Sequence, residues 1–502
     1  GETYNLRTGD ELVDESKFFV AQAQHQLHRD DRHTIVYGVD ALFTRPDTDG
    51  TINGRNEDDD DINEIGGYLQ SESVLSEKWT TVTAVRLDEH NHIDDPVFSP
   101  RAAVVFSPAA GHKLRGTYNR AYSTPSTNNL FLDLVTSEDL FRYGTATMLD
   151  AQDLFAEGVP EGGFTFRRDS GGGLDGLYMT VPPALLAING SATSQLPADA
   201  TLLWNAARTL AAQQAGVPAI ATIPAPSPGE VATVLRTLNP TIAAFGTEIT
   251  PPSEVIDVGE MQPTISNTFE VGYKGLIGRR LVAAIDVYYQ RIEDFVGPLR
   301  VETPNTFLDP ATLGTYLVSE GYTPAEAQAY AGALAAIPLG TVTPENSPVG
   351  DGDLILTYRN FGDVDLTGVD LGIQVLLNDM WSALLSYSFV SEDFFEDVEG
   401  ELDVALNAPS NKAGAILRYD NRHTGVGASA RVRFVDGFPV ESGIYVGDVE
   451  AYTLLDLSAS WQFIPSTSVS AVVQNVLDNE HREFVGTPEI GRLGLVRLTH
   501  SF

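Results

Sequence analysis

The stretch NTFEVGYKGLIGRRLVAAIDVYYQRIE, residues 267–293, decides how the rest of the chain is read. In its second half Leu281, Ala283, Ile285, Val287 and Tyr289 alternate with a set that includes Asp286 and Gln290. A period of two sends the two sets to opposite faces of an extended strand. Residues 267–276 form a strand of the same kind, and only Ile277–Arg280 lies between them. A connection that short makes an antiparallel hairpin.

The pattern recurs from end to end. Val426, Ala428, Ala430, Val432 and Phe434 alternate with Ser429, Arg431 and Arg433. Leu455, Leu457, Ala459, Trp461 and Phe463 alternate with Asp456, Ser458, Ser460 and Gln462. Phe19, Ala21, Ala23 and Leu27 alternate with Gln22, Gln24 and Gln26. Fifteen strands are predicted, near 17–28, 33–44, 65–75, 79–88, 99–107, 112–123, 267–276, 281–293, 366–377, 381–391, 411–419, 424–435, 452–463, 468–476 and 492–502. Several exceed the usual five or six residues. Large soluble β-sandwiches and propellers also alternate. Aromatic residues near strand ends (Phe43, Trp79, Phe106, Phe269, Trp381 and Phe463 among them) point instead to the two interfacial girdles of a membrane barrel.

The connections agree. Arg29–Arg32, Ser76–Lys78, Pro108–Gly111, Ile277–Arg280, Asn378–Met380, Asp420–His423 and Ile464–Thr467 are short, and every other connection is long. Short turns on one rim and long loops on the other is the asymmetry of an outer-membrane barrel. The expected fold is therefore all-β: an antiparallel transmembrane β-barrel with helical segments in long outer loops. Two loops, 126–264 and 296–363, are long enough to need local structure of their own. Thr323-Pro324-Ala325-Glu326 is a capping box before an alanine-rich run to Ala336. Ser227-Pro228-Gly229-Glu230 repeats that arrangement and predicts a helix over Val231–Leu238. Ala198–Ala215 is a third helix, with Leu202, Leu203, Ala206 and Leu210 expected on one face. An inserted soluble domain is the competing reading of these loops.

Composition sets outer limits. The 502 residues carry 69 acidic and 31 basic side chains, a formal net charge of −38, and no cysteine. An acidic chain is repelled by phosphate backbones, so no nucleic-acid partner is expected. Without cysteine there are no disulfides, thiolate zinc sites or cysteine nucleophiles. No apolar run reaches the length of a membrane-crossing helix, which leaves strands of about 10 alternating residues untouched. The start, GETYNLRTGDELVDESKFF, shows no signal peptide.

Ordered motifs then resemble a known family, the TonB-dependent outer-membrane receptors. Phe98-Ser-Pro-Arg101 opens a strand ending in Phe106-Ser-Pro108. Leu114-Arg115 leads through Tyr118-Asn119-Arg120-Ala121-Tyr122 to Thr124-Pro125-Ser126 and Asn129-Leu130-Phe131. Phe269-Glu270-Val271-Gly272-Tyr273-Lys274-Gly275 is followed by Val287-Tyr288-Tyr289 and Ile292-Glu293-Asp294-Phe295. Tyr358-Arg359-Asn360 precedes Leu366-Thr367-Gly368-Val369-Asp370. Val473-Gln474-Asn475-Val476-Leu477-Asp478 precedes Arg482-Glu483-Phe484, Pro488, Gly491-Arg492 and the final Phe502. His500 departs from the terminal pattern, where an aromatic or aliphatic residue is more usual.

The resemblance implies a bacterial outer-membrane location, surrounding lipid, and uptake of a scarce bulky solute driven through the TonB complex. A siderophore-type iron complex is the expected cargo, with glycans, cobalamin or peptides as alternatives and a surface lipoprotein as a further partner. Passive porins, structural barrels and soluble adhesins are the competing classes. The family has a plug domain and twenty-two strands, so residues 1–502 are expected to be an N-terminally incomplete barrel whose strands match the last fifteen; the TonB contact would lie in the part before it.

Individual site candidates are few. Arg86, Arg101, Arg115, Arg431 and Arg433 have the parity of the inner face and could meet ligand or plug. They could equally pair with acids such as Asp88, Glu270, Asp286, Asp370 and Asp456. The run Glu57–Asp61, with Asp58, Asp59, Asp60 and Asp61 as oxygen donors, could hold calcium, but its spacing suits a solvated acidic loop better. Glu89-His90-Asn91-His92 offers two imidazoles without a third ligand and reads as loop surface. Gly171-Gly172-Gly173 lacks the rest of a phosphate loop. No serine, histidine and acid constellation stands out, so neither catalysis nor a cofactor is expected.

Overall fold

A computed structural model describes residues 2–5, 11–145, 148–240, 242–350, 352–398, 402–442 and 445–502. Its main feature is one sheet of 15 strands. These are β1 (Lys17–Asp30), β2 (His33–Arg45), β3 (Ile62–Val74), β4 (Trp79–His90), β5 (Val97–Ala109), β6 (His112–Ser123), β7 (Thr264–Ile277) and β8 (Leu281–Glu293). They continue as β9 (Val364–Leu376), β10 (Trp381–Val390), β11 (Asn411–Asn421), β12 (Val426–Val435), β13 (Tyr452–Ile464), β14 (Thr467–Gln474) and β15 (Leu493–His500). All the predicted strands are present, in sequential antiparallel order. β14 stops at Gln474 because Asn475 turns to a positive φ of 51°, a conformation that leaves the ladder. Among the described residues β1 and β15 do not pair with each other, and both are exposed along their whole length.

Register confirms the faces. Phe269 lies opposite Tyr289, Val271 opposite Val287, and Tyr273 opposite Ile285. Phe269, Val271, Ile285, Val287 and Tyr289 form part of a band of exposed large hydrophobics that continues through Val39, Leu69, Leu385 and Trp461, and Tyr273 among them is half-buried. Gly272 opposite Asp286, itself opposite Asp370, belongs to the other, polar face. Aromatic pairs mark both rims of the apolar band. Trp79 meets Phe106 at 4.5 Å and Trp381 meets Tyr419 at 5.0 Å, both with tilted ring planes, next to short turns. Phe19 meets Phe43 at 6.3 Å beside the long connections. The short turns need little length but special backbone. Gly425 has φ +67°, and a Cβ there would lie 2.3 Å from the Gln462 carbonyl oxygen.

The two longest connections fold into one cap on the long-loop rim. The first, between β6 and β7, carries α1 (Thr127–Phe131), a hairpin of Asp133–Thr145 with Met148–Glu157, α2 (Pro183–Asn189) and α3 (Trp204–Ala215). The second, between β8 and β9, carries α4 (Pro310–Ser319) and α5 (Pro324–Leu334). Their helices share a single apolar core: Leu177, Leu185, Leu203 and Leu210 from the first pack with Leu308, Leu317 and Leu334 from the second. Strand Leu354–Thr357 also adds in parallel to Leu154–Glu157. A buried polar joint completes the union. Gln152 Nε2 donates to Thr341 Oγ1 and to the Gly352 carbonyl, both at 2.7 Å, and Asn305 Nδ2 donates to Gln152 Oε1 at 3.0 Å. A satisfied amide inside an apolar core fixes register, because any slip would strand its donors.

Two loop expectations need correction. The capping box at Thr323 and Glu326 forms and starts α5 as expected. The similar Ser227–Glu230 segment does not start a helix. Ser227 N does donate to Glu230 Oε2 at 2.6 Å, but Gly229 adopts φ +86° and breaks the turn. Residues Thr233–Arg236 then pair as a strand with Asn305–Leu308. Residues 198–215 begin as a 3₁₀ turn, Ala200–Leu203, before α3. The tighter winding rotates Leu202 outward, while Leu203, Ala206 and Leu210 face the core.

Candidate functional site

The polar face of the wall is where the sequence placed its candidate arginines. On β4, Arg86 reaches across β3 to Asp40 on β2, with Nη1 and Nη2 donating at 2.9 and 2.8 Å, and Nε donates to Asp88 at 2.8 Å. Gly66 makes room for this bridge, since a Cβ there would sit 2.2 Å from Arg86 Nη2. On β6, Arg115 pairs with Glu270 on β7 and with Asp286 on β8, the latter at 3.0 Å. Gly272, between them, is again bare where Asp286 needs the space. On β12, Arg433 meets Asp456 of β13 at 3.2 Å. Asp370 accepts from Ser388 Oγ at 2.6 Å. Arg101 and Arg431 have no ion pair among the described residues, and both are exposed.

These bridges span two or three strands each, so they tie register as well as balance charge. Arg86→Leu leaves Asp40 and the buried Asp88 without their donor. A loss of about 1–3 kcal/mol is expected, within the range for charged hydrogen bonds, and a shift in the urea midpoint of the folded barrel reads it.

The acidic run does not converge on a cation site. Asp60 is buried and accepts from Asn53 Nδ2 at 2.6 Å, and burial raises its carboxyl above the ordinary value despite that bond. Asp61 turns to Arg45 at 3.2 Å, and Asp58 has φ +75°. Glu57 accepts from the Thr48 backbone at 2.7 Å. Among the described residues no three carboxylate or imidazole groups come together to hold a metal ion. His90 also departs from expectation: it ends β4 and is buried, not loop surface, while His92 packs edge-on to Phe131 at 4.9 Å.

A charged cluster that the sequence did not disclose joins the cap to the β2–β3 loop. Arg55 Nη2 reaches Asp133 and Glu157, both at 2.6 Å, and Nε donates to Asp133 at 2.8 Å. Its Nη1 meets the Pro348 carbonyl of the second long connection. Asp133 and Glu157 are both buried. Burial, followed by the charge of Asp133, pushes the Glu157 carboxyl up to about 8. Burial would raise Asp133 too, but the Arg55 hydrogen bonds outweigh it and hold Asp133 below the ordinary carboxylate value. One guanidinium therefore fastens three separate connections. No short motif could have shown it, because the partners lie 78, 102 and 293 residues from Arg55.

Comparison with known proteins follows the same lines. Two solved structures superimpose on nearly the whole chain. A mutant of the ferric enterobactin receptor PfeA from Pseudomonas aeruginosa is 12% identical with a TM-score of 0.54, covering 97% of this chain and 54% of that one. The siderophore receptor PirA from Acinetobacter baumannii is 12% identical with a TM-score of 0.54, covering 99% and 56%. At such identity the likeness concerns the fold, and the chain spans about half the length of these structures. No curated protein matches. The sequence profile described as TonB dependent receptor-like, beta-barrel, matches residues 2–158 and 222–476, leaving out the α2–α3 part of the cap. With fifteen sequential wall strands and a family match over most of its length, the chain belongs to the TonB-dependent receptors and carries their β-barrel.

Proposed function

We propose that this barrel is part of an outer-membrane receptor that imports a scarce, bulky solute with energy delivered through TonB. The family match across the wall is the observation that carries this reading. The long-loop rim with its cap faces the outside, and the short turns face the periplasm. A siderophore-type iron complex is the favoured cargo, as the names of the ferric enterobactin receptor and the siderophore receptor suggest. The work is recognition and gating, with no covalent step. The inner-face arginines serve as wall ties where they are paired, as Arg86 and Arg115 are, and as contacts for ligand or plug where no ion pair is found among the described residues, as at Arg101 and Arg431.

Deletion of the full-length gene tests this directly. Uptake of radiolabelled ferric siderophores under iron limitation is expected to fall at least tenfold for the cognate complex, and to fall equally when TonB is removed. Uptake that persists without TonB would assign a passive porin instead. Glycan or peptide import is recognised by growth on those nutrients failing in the same strain.

A further inference from the structure

The long-loop rim carries two bodies with separate interiors. The cap is one. Beyond the core its two connections share, it is docked on the β2–β3 loop. Ile52 of that loop packs against the cap cluster of Leu132, Leu154 and Leu356. The Asp133 backbone donates to the Ile52 carbonyl at 2.9 Å, and Asn56 Nδ2 donates to the Phe131 carbonyl at 2.9 Å. The other body stands over β10–β15. Its hairpin of Phe438–Ser442 with Tyr445–Val449 buries Phe438, Val440 and Val449 against Phe484 and Val485 of the β14–β15 connection. A second hairpin, Phe394–Val398 with Leu402–Ala405, lies beside it. The β14–β15 connection is closed on itself, since Asn475 Nδ2 donates to the Asn479 carbonyl at 2.9 Å and the Ile490 backbone to the His481 carbonyl at 2.8 Å.

Among the described residues one apolar cluster joins the two bodies. Phe395 of the Phe394–Val398 hairpin packs against Phe361 and Val364, with Ile292 and Phe295 beside them. Phe295 and Phe361 lie opposite each other at the foot of the β8–β9 connection. Gly297 admits the Phe361 ring, because a Cβ there would lie 1.8 Å from it. Phe361 is buried, whereas Phe395 is only partly so. The rim can part in three places. Separating the two connections of the cap would bare Leu177, Leu203, Leu210, Leu317 and Leu334 and strand the Gln152 amide. Lifting the cap off the β2–β3 loop would leave Asp133 and Glu157 without Arg55. Parting the seam at Phe395 uncovers a few aromatic rings, and each body keeps its own interior. The apolar cost grows with the area uncovered, so the seam is the part that gives way first.

We propose that the outer mouth opens along this seam. The cap stays shut as one body, the hairpins over β10–β15 move as the other, and the Phe395–Phe361 contact is the latch between them. The inference rests on the import reading above and adds the route of entry. Cargo enters between the joint cap and the shorter connections, and the two longest connections never separate from each other.

The test measures distances between pairs of spin labels by double electron–electron resonance on the full-length receptor in lipid nanodiscs. These 502 residues hold no cysteine to compete for the label. Gln328→Cys with Asp448→Cys places one label on each body, and Gln214→Cys with Gln328→Cys places both on the cap; all three positions are exposed. Across the seam, one dominant distance with a minor longer population is expected. Phe395→Ala is expected to raise the ratio of the longer to the shorter population at least threefold, and Phe395→Leu by less. Within the cap, a single distance is expected in the parent and in both variants. Heat-modifiable gel migration establishes that each protein is folded, and Phe395→Leu serves if Phe395→Ala does not assemble. An across-seam distribution that neither variant changes would overturn the latch. A change within the cap equal to that across the seam would overturn the fixed cap. Failure of the import reading shows separately, as seam opening intact while gene deletion leaves uptake of every cargo unchanged.

Discussion

Arginine placed at Val271 is expected to cost the folded barrel about 2–4 kcal/mol, and the same substitution at Val287 a similar amount. Both residues lie midway along their strands, directly opposite each other, on the apolar face. Val271 is 67% exposed and Val287 48% exposed, so what covers them is the surrounding medium, not protein. A guanidinium there must leave water for hydrocarbon or thin the bilayer around itself. Gln374→Arg is the matching control. Gln374 sits on the polar face of β9 between Val282 and Leu384, and a charge there is expected to change stability by less than about 1 kcal/mol. Urea unfolding of the barrel from lipid vesicles measures all three. Equal costs on both faces would show that the assignment of faces is wrong.

Arg55→Ala is expected to loosen the cap by about 2–3 kcal/mol. Removing one partner of a buried charge cluster is costlier than the cluster is worth, because the Asp133 carboxylate and the Glu157 carboxyl stay buried without their donor. The figure is set below the range for fully buried pairs because the Arg55 side chain is nearly half exposed. The pH dependence follows from the two acids. Glu157 holds its proton more firmly in the folded cap than in the open chain. Its contribution is therefore complete below its ordinary value of 4.5 and is lost as pH rises through about 8. Asp133 works the other way: its contribution is present above its ordinary value of 3.8 and is lost as pH falls through its lower folded value. The cap is thus firmest in mildly acidic solution and slackens toward pH 8. Hydrogen exchange of amides 133–145 and 148–157, corrected for intrinsic rates, should show protection declining over that interval. In Glu157→Gln, whose amide stays neutral, the decline should vanish. A profile of the same slope in both proteins would remove Glu157 from the account.

The wall was legible because its physics is local. In Leu281–Tyr289 every residue meets either lipid or lumen, so alternation reports burial directly and the strand can be read from nine letters. Parity alone also placed Arg86, Arg115 and Arg433 on the inner face. It could not say that Arg86 would choose Asp40, two strands away, because that partner depends on the space left at Gly66. The cap was harder. Thr323 and Glu326 form their box within four residues and were readable, whereas Ser227 and Glu230 have the same spacing and fail because Gly229, where the other segment has Ala325, leaves the helical region. What replaces that helix is a strand pairing of Thr233–Arg236 with Asn305–Leu308, a partner beyond the reach of any local window. The Arg55 cluster was illegible for the same reason.

Because Leu203 and Leu210 are covered by Leu308, Leu317 and Leu334, the first half of the cap cannot complete its interior until a segment about a hundred residues downstream has been placed. Strands β7 and β8 lie between the two halves in the chain. The interior of the cap therefore closes only when both connections are in place, and an assembly halted after β7 would present a leucine- and alanine-rich surface with no cover. Such surfaces are where chains associate wrongly. One small interior is divided between two distant loops, so neither loop is a folding unit by itself and the roof is complete only when both have been made.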